Sequence, residues 1–291
     1  MNLDNKLKNL PPIFYQNLDH RIDRKNNMET QFKKWGITDY TRVSASRYSI
    51  DKIDEWKDKL DLMLLTPSDA SIVMNQFTTI IDWYNSGISE YCIIMQDDLS
   101  LDLIEYWMFD WDYLMKNLPY NWDCILLYFC HYAYIPMHLK KRLHNCCSGA
   151  CYMINRWYAE KLIKMHLRPD GGFKLDNNLR DCRVEKPCYS SDDFLIYQVG
   201  VNYTLPLFSL NQHLSQNPDN KPSLFPGQDY DDTIKMHHNK MNDIFSSYYI
   251  KKWWMNESQE FTAEDFFNYN KSNDYKMTIT IPSFNNTYIT L

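Results

Sequence analysis

Glycine is scarce in this chain, with seven among 291 residues, and no GxxxxGK[ST] stretch occurs. A glycine cradle is therefore not how this protein would hold a phosphate. Paired cysteines are missing too. Eight cysteines stand at 92, 124, 130, 146, 147, 151, 182 and 188 without CxxC spacing, and Cys146-Cys147-Ser148-Gly149-Ala150-Cys151 has no second half to complete a zinc knuckle. They read as reduced, mostly buried thiols, which points to a reducing compartment. The sequons, such as Asn202-Tyr203-Thr204, then carry no message. No segment approaches the ~20 apolar residues that cross a bilayer. The amino-terminal MNLDNKLKNLPPIFYQNL lacks the apolar centre of a signal peptide. A cytoplasmic protein is the expectation. Excess positive charge is also lacking: the net charge of -6 offers no broad field for nucleic acid or an anionic membrane. A few local cations would still suffice for a small anion.

What is present suits a globular chain. Hydrophobic residues make up 44% and charged residues 23%, and the length allows a substantial core in one large domain or two small ones. Ile13 to Leu18 reads as a buried strand. Met28, Phe32 and Trp35 then recur at helical spacing, with Gly36 placed as a cap. Thr41 to Ala45 suggests a second strand, Asp51 to Asp61 a solvated helix or lid, and Ala70 to Trp83 a helix ending near Gly87. Tyr91 to Met95 reads as a strand, Leu103 to Leu118 as a helix, and Trp122 to Phe129 as another strand. A short strand Cys151 to Asn155, a helix Trp157 to Lys164, a loop Arg168 to Pro187, a helix from Ser190 and a late strand Tyr203 to Leu210 complete the pattern. The alternation predicts an α/β fold with a parallel sheet and covering helices, and in such sheets ligands sit beyond the carboxyl ends of the strands. Asn17-Leu18-Asp19 and Gln96-Asp97-Asp98 both fall at those ends.

The run Ile93-Ile94-Met95-Gln96-Asp97-Asp98 takes a buried strand straight into two adjacent acids. Adjacent carboxylates repel, and ionised carboxylates are costly near a core, so a cation is needed to justify them. Such a pair can be a structural cap, a divalent-metal site serving a diphosphate, or an acid–base pair for hydrolysis. The last requires carboxyls on opposite sides of the scissile bond, roughly 5 to 9.5 Å apart, and neighbours on one strand end diverge. A hard cation fits better, because Mg²⁺ or Mn²⁺ takes oxygen ligands, needs only one or two carboxylates and neutralises a leaving diphosphate.

The segment Phe14-Tyr15-Gln16-Asn17-Leu18-Asp19-His20-Arg21-Ile22-Asp23-Arg24 resembles the opening of glycosyltransferase family 25, which includes lipopolysaccharide and collagen galactosyltransferases. The apolar strand ending in Gln96-Asp97-Asp98 is similar to that family's Glu-Asp-Asp. Gly149-Ala150-Cys151-Tyr152-Met153-Ile154 with Ala159-Glu160-Lys161-Leu162, and Asp192-Asp193-Phe194, match two further signatures in the same order. The resemblance spans about residues 12 to 215. It departs at Gln96, where the family has Glu, and at Asn75-Gln76, where the family usually has Ser-His.

The resemblance implies a GT-A-like nucleotide-sugar-binding fold, with a mostly parallel central sheet flanked by helices over residues 1–215. Residues 216–291 are then expected as a carboxyl-terminal extension packed on it. It implies an inverting, metal-dependent glycosyltransferase that moves a hexose, such as galactose or glucose, from a UDP-sugar to a hydroxyl of a glycan or protein acceptor. Asp98, Asp97 and His213 would hold Mn²⁺ or Mg²⁺. Asn17, Asp19, Arg21, Arg24, Asn75, Gln96 and Asp97 would serve the nucleotide, the arginines offering a rigid fork to phosphate oxygens. Asp193 or Asp192 would take the acceptor's proton. Two other readings stand beside it: a catalytically weakened member that binds glycans or partners, prompted by Gln96, and a nucleotide-sugar hydrolase.

Overall fold

Ile13–Asn17 forms β1, buried along its whole length. A strand with both faces covered needs an element on each side, and the side chains show which. Tyr15 points to helix α1 (Ile22–Lys34), where its ring meets Phe32 at 5.6 Å and its hydroxyl donates to Glu29. Gln16 points the other way and donates to Thr79 of helix α2 (Pro67–Ser86). The computed structural model describes residues 6–61, 67–131, 134–143, 146–174, 199–211, 230–268 and 277–281. Between the two helices runs β2 (Tyr40–Ser44), which short helical turns over residues 45–59 follow. Gly36 follows α1 at φ +65° and Gly87 follows α2 at φ +67°, so both glycines serve as left-handed helix ends. Strand β3 (Tyr91–Gln96) then delivers the acidic turn.

The apolar stretch from Leu103 is not one helix. Asp102–Tyr106 is a 3-10 turn, and α3 (Trp111–Asn117) starts afresh because Asp110 caps it by accepting from the Tyr113 amide at 2.7 Å. Strand β4 (Cys124–Cys130) is fully buried, β5 (Lys140–Lys141) is short, and β6 (Cys147–Asn155) is longer than the sequence suggests. Helix α4 (Arg156–His166) is capped by Asn155. The late strand divides into β7 (Asn202–Thr204) and Ser209–Leu210, with Pro206, which has no amide to donate, between them.

The seven strands pair in the order β2-β1-β3-β6-β4-β7-β5. The sheet is mixed rather than mostly parallel. Strands β2, β1 and β3 run parallel, as do β4 and β7, but β6 lies antiparallel between β3 and β4, and β5 antiparallel to β7. The cause is the connection from β4 to β6, which contains no helix among its described residues. Without a crossover the chain returns antiparallel.

The region after residue 229 supplies a helix that the polar composition concealed, α5 (Tyr230–Asn256). Ser246, Ser247, Ile250, Trp253 and Trp254 bury one stripe of it. Trp254 donates its indole N–H to the Pro206 carbonyl at 2.7 Å and stacks on Phe266 at 5.1 Å. Thr278–Thr280 adds a strand to Tyr134–Pro136.

Candidate functional site

A cleft of about 690 Å³ opens at the carboxyl ends of β1, β2 and β3. It lies where strand-end loops meet the first turns of α1 and the amino-terminal half of α2. Asp19, Arg21, Arg24, Asn75, Gln96 and Asp97 all line it. Residues distant in sequence reach one cavity because β1 and β3 are parallel and in register, pairing Gln16 with Gln96. Their carboxyl-terminal loops must then emerge side by side.

Behind the lining runs a continuous polar network. Asn17, fully buried, donates from its amide nitrogen to Asp97 Oδ2 at 2.6 Å and to the Arg21 carbonyl at 3.1 Å. Its Oδ1 accepts from Arg42 Nε at 2.8 Å. Arg42 extends to Asp19 Oδ1 at 2.6 Å, while Ser44 donates to the other Asp19 oxygen at 2.8 Å and Ser46 accepts from the Asp19 amide. Hydrogen bonds from Ser44 and Arg42 hold the Asp19 carboxyl below its usual range. Asn75 is also committed locally, donating to the Ala45 and Ser71 carbonyls at 3.0 and 2.9 Å. The amide thus ties α2 to the loop after β2. Gln76 donates to the Gly149 carbonyl at 3.1 Å and is buried away from the cleft lining.

The two acids after β3 share one cation. Arg24 Nη1 stands 2.8 Å from Asp97 Oδ1 and 3.5 Å from Asp98 Oδ2. Asp97 faces the cleft. Asp98 turns inward, does not line the cleft, and keeps a buried Oδ1 without a hydrogen-bond partner among the described residues. Desolvation raises the Asp98 pKa above the carboxylate norm, the Arg24 charge opposing and the Asp97 charge adding to the rise. Arg21 makes a two-point pair with Asp23 at 2.9 and 2.7 Å, which holds Asp23 down at about 2. His213, Asp192 and Asp193 lie outside the described residues.

A divalent ion finds a poor ligand set among the described residues. Both oxygens of Asp97 are engaged, the Asn17 amide presents its nitrogen rather than its oxygen, and Gln96 brings no charge. No group of three or more His, Cys, Asp or Glu side chains is arranged to hold a metal among these residues. Of the carboxylate oxygens of Asp97 and Asp98, Asp98 Oδ1 alone meets no described donor, and it lies beside a guanidinium.

Arg42, Ser44 and Ser46 belong to the site although the sequence does not mark them out. The available signal was register: with β2 parallel to β1, Ser44 falls beside Asn17. No protein-family model matches the chain, and no match appears among curated proteins. No helix among the described residues is long and apolar enough to cross a membrane.

Proposed function

We propose that this chain is a glycosyltransferase of GT-A-like build that binds a nucleoside-diphosphate sugar, a UDP-hexose in the first instance, in the cleft at the ends of β1, β2 and β3. One observation carries the reading. Six of the seven residues that the family resemblance assigns to the nucleotide line one cavity at the carboxyl ends of parallel strands, where ligands of α/β sheets bind, and the seventh, Asn17, lies behind it. The side chains there suit such a ligand. Gln96 and Asp97 offer hydrogen bonds to ribose and base, and Arg21 and Lys52 bring positive charge to the cleft wall for phosphate oxygens.

The reaction is a single displacement at the anomeric carbon. The acceptor hydroxyl oxygen forms a bond to that carbon, its proton passes to a carboxylate base assigned to Asp193 or Asp192, and the bond to the diphosphate oxygen breaks with the electron pair leaving on the nucleotide. The acceptor is a hydroxyl of a glycan or glycoprotein. The group that family members use to neutralise the leaving diphosphate is a divalent ion acting as a Lewis acid. The described residues do not supply its ligands.

A second reading has its own support. Gln96 in place of Glu, with Arg24 already closed on both acids, favours a member that binds its ligand with weakened turnover. A screen of UDP-, GDP- and CMP-sugars, with and without acceptors, separates the cases. Release of nucleotide that depends on an acceptor indicates transfer. Release without one indicates hydrolysis, and thermal protection without release indicates binding alone. If no nucleotide sugar protects the protein from unfolding, the proposal fails.

A further inference from the structure

We infer that Arg24 is the resident cation of the Asp97–Asp98 pair, so that the cleft takes its nucleoside diphosphate without a divalent ion. The nucleotide half of this inference rests on the function proposed above; the Arg24 half stands on contacts alone.

Three features support the assignment. First, Arg24 comes from the first turn of α1, and the same Nη1 reaches an oxygen of each acid, at 2.8 and 3.5 Å. A guanidinium between two carboxylates offsets the repulsion that makes adjacent acids costly, which is the task otherwise given to a metal. Second, the neighbouring amide is fixed in the wrong sense for a metal. Arg42 donates to Asn17 Oδ1, which turns the Asn17 NH₂ toward Asp97 at 2.6 Å. A carboxylate that accepts from an amide and a guanidinium sits in surroundings built for an anion, and the Asn17 oxygen is taken. Third, position 96 carries an amide, so no further negative charge recruits a cation. An ion placed against the remaining Asp98 Oδ1 would meet the Arg24 charge at close range, and like charges there oppose its binding.

Manganese titration of the full-length protein, followed by the loss of the free-ion electron paramagnetic resonance signal, tests the charge assignment. The wild type is expected to bind no Mn²⁺ at millimolar ion. Arg24→Met removes the guanidinium, leaves the acids uncompensated and should bind Mn²⁺ at least about tenfold more tightly. Arg24→Lys, which keeps the charge, should behave as wild type. Circular dichroism checks each fold, and Arg24→Gln replaces the methionine variant if that one does not fold. In parallel, UDP should raise the wild-type melting temperature equally in EDTA and in Mn²⁺. Stoichiometric Mn²⁺ binding by the wild type, equal affinity in Arg24→Met, or loss of the UDP effect in EDTA would each overturn the inference. If UDP has no effect in either condition, the nucleotide reading fails, and the Mn²⁺ titration still decides the role of Arg24.

Discussion

Asp98 holds its carboxyl in a place that resists charge: one oxygen is buried without a hydrogen-bond partner among the described residues, and desolvation keeps its proton affinity above that of an ordinary aspartate. The sign of the consequence follows from linkage. A carboxyl whose folded pKa exceeds its unfolded one supports the fold below the unfolded value, and that support is lost as pH rises through the folded value. Above the folded value, ionised Asp98 therefore works against stability. Asp98→Asn, which keeps the shape and discards the charge, should melt at or above the wild-type temperature at pH 7. Its relative advantage should shrink as pH falls toward the ordinary carboxylate value. A melting temperature of Asp98→Asn well below wild type at pH 7, measured across a pH series, would show that the pairing with Arg24 outweighs desolvation. Side chains of this kind were legible in the sequence only where a strand end announced them. Asp19, Gln96 and Asp97 could be placed near a ligand because each follows an apolar run. Arg42 could not, because its role depends on which strand lies beside β1 and in what register, and nothing local to residue 42 encodes that pairing. The choice between Asp97 and Asp98 was similarly hidden: alternation says that they diverge, but only packing says which one faces the cleft.

Glycines at the ends of elements show how local rules and packing combine. Gly36 and Gly200 both hold positive φ, at +65° and +95°, yet their surroundings differ. A Cβ on Gly36 would meet nothing within 4 Å. On Gly200 it would collide with the Tyr158 ring and stand 2.7 Å from Asp123 Oδ2, in a corner where the Asp123 carboxylate also accepts from the Val201 amide at 2.8 Å. Gly36→Ala should cost only the left-handed backbone penalty, about 1 kcal/mol. Gly200→Ala should cost clearly more, because backbone strain and steric overlap fall on the same residue. Urea denaturation of both variants checks the order, and equal midpoints would refute it. Gly36 was readable as a helix end because a periodic apolar stripe stops there. Gly200 was not, since its constraint comes from Tyr158, on a helix distant in sequence. The same contrast explains the misread boundaries. The apolar residues from Leu103 to Leu118 have helical composition, but Asp110 is a better helix start than a helix interior, and the chain breaks there. Tyr203 to Leu210 has strand composition, but Pro206 interrupts the ladder.

Across the molecule, the antiparallel β6 is the seam that joins a β2-β1-β3 half, which carries the cleft, to a β4-β7-β5 half. The aromatic unit around α5 attaches to the second half, through Tyr128 to Asp243, the indole of Trp254 to Pro206, and Ser247 to Leu210. From Leu210 the connection passes on to the acidic turn, because Ser209–Leu210 pairs with Leu99–Ser100 and the Asn211 amide donates to the Asp98 carbonyl at 2.7 Å. The fold after residue 229 was hardest to read, since α5 buries two serines in its stripe and opens with a polar stretch that has the composition of a solvated tail. This chain of contacts predicts that α5 and the cleft melt together. Trp254 is fully buried, so Trp254→Ala removes its stacking on Phe266, its hydrogen bond and its volume, a loss of about 3–5 kcal/mol. If the molecule unfolds as one unit, the whole transition moves down by roughly 5–8 °C and stays single. Hydrogen exchange in β1 and β3, far from the substitution, should then accelerate as much as exchange in α5, while the folded fraction keeps its affinity for UDP. Two separate transitions, with protection in β1 unchanged, would instead mean that the carboxyl-terminal region is a separate folding unit whose loss the cleft tolerates.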